Sequence, residues 1–150
     1  MESTGDTKAK GGKHPIRVVL ADDHAEFRRG LAEMLTTDGD IEVIGQADNG
    51  AVALELAREA LPDVVVLDLA MPVVGGREAL ELLLGEVSPQ PGVVILTMYD
   101  RPRLVRELLE MGASAFLAKS ASLAEIIAAV KQAYPKRPPP QDSGEVPQAT

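Results

Sequence analysis

The sequence contains no cysteine and no tryptophan, and only two tyrosines and two phenylalanines in 150 residues. Without thiols there is no disulfide scaffold and no thiolate metal site, and that absence suits a reducing compartment. No apolar run approaches the roughly 18 residues of a membrane span. The polar stretch from Met1 to Pro15 has no apolar segment, so it does not read as a secretory signal. These absences predict a cytoplasmic chain with no membrane association. With aromatics at 3%, the core must be built from Val, Leu, Ile and Ala, and a hydrophobic content of 45% suffices for one domain.

Positive charge is scarce as well. The net charge is −8. Residues 1–15 carry three lysines against Glu2 and Asp6, and residues 135–150 carry Lys136 and Arg137 against Asp142 and Glu145, so the acidity belongs to the body between them. An acidic body argues against direct DNA binding, which needs cationic contacts to phosphates. It is compatible with holding a divalent cation.

Three segments are expected. Residues 1–15 are Gly, Lys, Thr and Ser without periodicity, and residues 135–150 include Pro138-Pro139-Pro140. Both compositions read as disordered, the second as a Pro-rich tail or linker. The domain is residues 16–134, where strand and helix signals alternate. Ile16 to Ala21 is a β-rich run ending in Asp22-Asp23. Residues 25–37 place Phe27, Leu31, Met34 and Leu35 on one helical face. Glu42 to Ala47 reads as a strand, broken by Asn49-Gly50, and Ala51 to Ala60 as a helix closed by Pro62.

The run Val64-Val65-Val66-Leu67 is apolar throughout and β-branched at its three valines, as in a parallel strand buried on both faces. It ends in Asp68. Gly75-Gly76 precedes a helix over 77–84. Val93 to Leu96 is another apolar strand, ending in Thr97. Asp100 and Pro102 read as a cap and first-turn proline, and Gly112 ends that helix. Ala115 to Ala118 is a short strand ending in Lys119. Ser122 and Glu125 form a capping box for a helix to Tyr134, stopped by Pro135. Five strands alternating with five helices predict an α/β, doubly wound parallel sheet with helices on both faces.

Ligands in such sheets sit beyond the carboxyl ends of the strands. Asp22, Asp23, Asp68, Thr97 and Lys119 stand at those ends, each after an apolar run. Three carboxylates against one ammonium leave uncompensated negative charge, and close carboxylates raise one another's pKa. Hard oxygen donors with no His or Cys among them point to Mg²⁺, which binds one or two carboxylates together with phosphate oxygens. A carboxylate beside such an ion can be a nucleophile and form an aspartyl phosphate. Lys119 can stabilise the transferring phosphoryl charge and Thr97 can hydrogen-bond a phosphoryl oxygen.

This set resembles the receiver domain of response regulators, the CheY-like superfamily, over about residues 16–134. The stretches that carry the resemblance are Asp22-Asp23-His24 with Arg28, Gly30 and Leu31; Pro62-Asp63 leading to Leu67-Asp68-Leu69 and Met71-Pro72; Gly76; Leu96-Thr97 with Tyr99 and Asp100; and Gly112-Ala113 with Phe116 and Lys119. The spacing of Asp-Asp-His, Arg and Gly-Leu, with Tyr-Asp after the fourth strand, is similar to the NarL/FixJ (LuxR-like) branch. The resemblance implies strand order 2-1-3-4-5. It implies Asp68 as phosphoacceptor for a sensor histidine kinase. It implies Mg²⁺ held by Asp23 and Asp68 directly, by Asp22 through water and by the backbone carbonyl of Ala70. Thr97 and Lys119 would contact the phosphoryl group, and Phe116 would be the switch aromatic, moving inward with Thr97. Ala70 and Tyr99 would flank the path of hydrolytic water and slow decay of the phosphorylated state. Homodimers are common in this branch.

Two departures from the family pattern stand out. Lys119 is followed by Ser120 rather than the proline usual in receivers, although the NarL-like branch often lacks it. The chain runs into its Pro-rich tail where a NarL-like regulator continues into a DNA-binding helix-turn-helix. It therefore reads either as a stand-alone receiver or as the truncated receiver of a transcription regulator. A phosphohydrolase of the haloacid-dehalogenase type would need a second Asp two residues after the nucleophile, where Ala70 stands. A nucleotide binder would need a Gly-x-Gly-x-x-Gly after the first strand or a Walker motif, and neither is present. Taken singly, Asp22-Asp23 is an ordinary turn, Thr97 a common strand residue and Lys119 a solvated lysine. Phe116 alone is core packing. His24 reads as a surface or helix-start residue rather than a metal ligand, since no second histidine lies near it. Arg101, Arg103 and Arg106 read as a solvated helix face.

Overall fold

A computed structural model describes residues 14–37, 39–71, 73–98 and 101–135. Apart from His14, Pro15 and Pro135, the two tails lie outside the described residues, as do Pro72, Tyr99 and Asp100. The elements in chain order are β1 (Ile16–Ala21), α1 (Ala25–Thr36), β2 (Ile41–Ala47), α2 (Gly50–Ala60) and β3 (Val64–Leu67), then α3 (Gly76–Glu86), β4 (Gly92–Thr97), α4 (Pro102–Met111), β5 (Ala115–Ala118) and α5 (Leu123–Ala133). All strand pairs are parallel and the sheet order is β2-β1-β3-β4-β5. The order and both helix layers agree with the expectation from sequence.

The apolar strands divide by parity, because successive side chains point to opposite faces. Val19, Ala21, Val65, Leu67, Val93 and Ile95 pack with Ala53, Leu54 and Ala57 of α2, Ala79, Leu80 and Leu83 of α3, and Leu108 of α4. Val18, Leu20, Val64, Val66, Val94 and Leu96 pack with α1 and α5 through Leu31, Ala32, Leu35, Ile126, Ala129 and Val130. Phe116 is half-buried against the α2–α4 layer. Among the described residues no helix is long and apolar enough to cross a membrane.

The capping box read at α5 is formed and Pro102 opens α4 as expected, but the N-cap position of α4 is Arg101, without a side-chain cap, rather than Asp100. Asn49 accepts from the backbone N–H of Val52 and starts α2. Ser122 and Glu125 make a reciprocal capping box at α5. Ser122→Ala is expected to lower unfolding stability by about 1 kcal/mol, measured by urea titration. One expectation differs. Met34 is 48% exposed, while Ala32 is buried beside Leu31 and Leu35. At about 100° per residue the buried stripe of α1 is centred on Leu35, on the side away from Met34.

Two glycines let the loop after β3 sit close to its neighbours. A Cβ on Gly76 would stand 2.4 Å from the Asp68 carbonyl oxygen and 2.5 Å from the Leu69 Cα. One on Gly50 would stand 2.3 Å from the Val74 carbonyl oxygen, which accepts the Gly50 N–H at 3.0 Å. These contacts are with backbone, which cannot step aside as a flexible side chain can. Gly76→Ala is expected to cost about 1–3 kcal/mol in urea unfolding.

Candidate functional site

The chain order places β1 and β3 side by side, with β2 beyond one and β4 beyond the other. Connections leave in opposite directions there, which opens a crevice at the carboxyl ends. Ala21 pairs with Leu67, so the next residues, Asp22 and Asp68, emerge as neighbours. Their backbones stay tied to the sheet: Asp68 N–H donates to Ala21 at 2.9 Å and Asp22 N–H to Ala47 at 2.9 Å. Thr97 pairs with Ala118, and Lys119 N–H donates to the Thr97 carbonyl at 2.8 Å. Strand register thus delivers an acid, an acid, a hydroxyl and an amine to one edge.

The side chains meet. Lys119 Nζ lies 2.8 Å from Asp22 Oδ2 and 3.5 Å from Asp68 Oδ2. Asp68 is 2% exposed, Asp22 6% and Thr97 0%, whereas Asp23 is exposed. Asp68 Oδ2 is buried without a hydrogen-bond partner among the described residues. Burial raises the Asp68 pKa above its ordinary value, and the Asp22 carboxylate raises it further; Lys119 and the Ala70 N–H oppose that shift. A buried carboxylate oxygen with no hydrogen bond, beside a second carboxylate and sharing one ammonium with it, is a costly arrangement unless further positive charge completes it. Ligand atoms of Asp22, Asp23, His24 and Asp68 all lie within 4.8 Å of one another. The donor set therefore fits a divalent cation.

Neighbouring groups hold the cluster in place. Arg28 Nη1 donates to the Asp22 carbonyl at 2.6 Å and its Nε to Gln46 Oε1 at 3.0 Å, fixing the turn between β1 and α1. The Lys119 ammonium lies 4.9 Å from the centroid of the Phe27 ring, a cation–π distance. A cleft of about 500 Å³, lined by His24, Glu26, Phe27, Met98, Ala118, Lys119 and Ser120, opens beside the lysine.

Each described residue assigned to the site from sequence, except Phe116, is at or beside this edge. Asp22, Asp23, Asp68 and Lys119 are brought together directly, and Thr97 is the last residue of the adjoining strand. Ala70 is exposed and reaches Asp68 through its N–H. Phe116 lies on β5, within the core layer rather than in the pocket. Tyr99 lies outside the described residues. Sequence reading did not identify Phe27 as the lysine's platform or His24 as a neighbour of the acids. Their spacing carried a signal: positions 24 and 27 stand one helical turn apart where α1 begins.

The sequence profile described as "Response regulator receiver domain" matches residues 18–131. A probable transcriptional regulatory protein NarL from Mycobacterium tuberculosis is 39% identical over 115 residues, covering 77% of this chain and 53% of that protein. The transcriptional regulatory protein LiaR from Bacillus subtilis is 40% identical over 123 residues, covering 82% and 58%. The chain thus spans little more than half the length of these curated relatives. Among solved structures, the signal receiver domain of the putative response regulator NarL from Mycobacterium tuberculosis superposes with a TM-score of 0.76 at 36% identity, covering 83% of this chain and 100% of that one.

Proposed function

Because this chain belongs to the response regulator receiver domain family, we propose that its Asp68 accepts a phosphoryl group from the histidine of a cognate sensor kinase in the cytoplasm. The phosphorus–nitrogen bond of the phosphohistidine breaks as an Asp68 carboxylate oxygen forms the new phosphorus–oxygen bond, and the freed imidazole takes a proton from solvent. The observation that carries this reading is the placement of the Lys119 ammonium against both Asp22 and Asp68 at the sheet edge. A group already paired with the nucleophile can follow the charge onto the phosphoryl oxygens. To expose Asp68, its long side chain swings off the carboxyl toward the adjoining cleft.

Asp23 and Asp68 are the proposed direct ligands of Mg²⁺, with Asp22 acting through water and the Ala70 carbonyl as a further donor. The Asp68 oxygen that lacks a hydrogen bond among the described residues and the oxygen donors of the three acids support that choice. When bound, the ion offsets charge on the carboxylates and the phosphoryl oxygens. Thr97 donates its hydroxyl to the new phosphoryl group, and Phe116 turns further inward as Thr97 shifts. A two-state change in β4, β5 and the helices beside them then alters an output surface. The names of the curated relatives make transcription the proposed output, through a homodimer and a separate DNA-binding segment rather than through this acidic body.

The domain is an acceptor with self-catalysed transfer and decay, not a multiple-turnover phosphatase, because Ala70 supplies no second carboxyl. Ala70→Asn is expected to speed loss of the phosphoryl group several-fold by positioning water; an unchanged or slower rate counts against the assigned role of Ala70 and Tyr99.

A small phosphodonor such as acetyl phosphate, given with Mg²⁺, is expected to add one phosphoryl group that neutral hydroxylamine removes, as an acyl phosphate requires. A hydroxylamine-stable adduct, or none with either acetyl phosphate or a kinase, would falsify the reading.

A further inference from the structure

Resting on the reading of the acidic pocket as a cation site, we propose that His24 is a metal ligand, adding a nitrogen donor that lets the pocket take borderline first-row cations such as Ni²⁺ or Co²⁺ more tightly than Mg²⁺. His24 occupies the N-cap position of α1 but makes no side-chain cap. Its backbone N–H donates to Asp22 Oδ1 at 2.8 Å, which turns the residue toward the acids. The ring Nδ1 lies 3.3 Å from Asp22 Oδ1 and 3.4 Å from Asp23 Oδ1. Two donors that share an ion at about 2.0–2.2 Å stand about 3.0 Å apart at right angles and about 3.4 Å apart at a tetrahedral angle. The separation from Asp23, the exposed acid proposed as a direct ligand, falls at the upper end of that range.

The tautomer also fits. Lys119 Nζ is 3.2 Å from His24 Nδ1. An ammonium can donate but cannot accept, so in the tautomer that bonds Lys119 the Nδ1 atom presents its lone pair, the form a metal ligand requires. The same ammonium touches Asp22 and comes within 3.5 Å of Asp68. One positive group thus already gathers three of the donors that a cation would use. The fourth observation is independent of the histidine: the buried Asp68 Oδ2 has no hydrogen-bond partner among the described residues.

The chemical consequence is selectivity. Mg²⁺ gains little from imidazole and keeps its waters, whereas Co²⁺, Ni²⁺ and Zn²⁺ favour a nitrogen ligand. An all-oxygen receiver pocket and this one should therefore differ toward Ni²⁺ and agree toward Mg²⁺.

The test is calorimetric titration of the full chain with Ni²⁺ and, separately, Mg²⁺. It is run on His14→Gln as background, to remove the other histidine, and on that background carrying His24→Asn or Asp23→Asn. Asparagine is a good helix cap, so the His24 variant keeps a competent start to α1. We expect His24→Asn to weaken Ni²⁺ at least tenfold and to leave Mg²⁺ within about twofold, with Asp23→Asn weakening both. With Co²⁺, a hyperfine-shifted imidazole N–H resonance should appear in the background protein and vanish in His24→Asn. Unchanged Ni²⁺ affinity, or an equal loss of both metals, would overturn the role of His24 while the pocket reading survives on the Asp23 result. Failure of Mg²⁺ to bind even the background protein would overturn both.

Discussion

Asp68→Asn is expected to abolish covalent phosphorylation and, in the metal-free protein at neutral pH, to raise the thermal midpoint by a few degrees. The two effects have one origin. Burial and the neighbouring Asp22 carboxylate raise the Asp68 pKa, so the folded state holds the Asp68 proton more tightly than the unfolded chain does. Stability from this group is present below the ordinary value of 3.8 and is lost as pH rises through the raised folded value. Once the unfolded chain has lost this proton, as at pH 7, Asp68 therefore opposes folding, and a neutral amide of the same shape removes that cost. The stability gap between variant and parent should open as pH climbs above 3.8 and then level off. Mg²⁺ should shrink it, because the ion stabilises the parent in proportion to its binding and the variant less. Thermal melts over a pH series with and without Mg²⁺ check each part; a variant less stable than the parent at neutral pH contradicts the electrostatic account of the pocket.

The second large effect belongs to Lys119. Lys119→Ala is expected to slow phosphotransfer to Asp68 by about 10²–10³-fold, the usual cost of losing one preorganised donor to a developing charge. It also leaves the buried Asp22 and Asp68 carboxylates facing one another. Removing one partner of a buried ion pair costs about 3–5 kcal/mol. A loss of about 3 kcal/mol without metal is expected, since protonation of one carboxyl relieves part of it, and Mg²⁺ should restore much of the loss. Rapid-quench transfer kinetics and urea unfolding separate the two consequences. A variant with a normal transfer rate and reduced stability would leave Lys119 as a structural counter-charge only.

The parts of this domain that were legible in the sequence are those set by strong local signals. Val64-Val65-Val66-Leu67 could only be a strand buried on both faces, and its end located Asp68. Ser122 and Glu125 marked the start of α5 because the capping box is a pattern of two residues at fixed spacing. Strand order was different: alternation of elements implied a parallel sheet, but the order 2-1-3-4-5 came through resemblance, since no local preference records which strand lies beside which. Met34 was misplaced because a helical face read from four apolar residues has no information on where the sheet sits, and Ala32 was small enough to be overlooked as core. The pairing of Lys119 with Asp22, nearly a hundred residues away, and the position of Phe27 under its ammonium are tertiary facts that depend on side-chain reach. His24 does not read as a ligand from sequence for want of a second histidine, although its neighbours in the fold are carboxylates.

The most direct test is to find which residue carries the phosphoryl group. Borohydride reduces an aspartyl phosphate to homoserine, so the phosphorylated protein can be reduced, digested and sequenced by mass spectrometry. Homoserine in place of Asp68, dependent on Mg²⁺, is the expected result. Homoserine at Asp22 or Asp23 with Asp68 intact would contradict it.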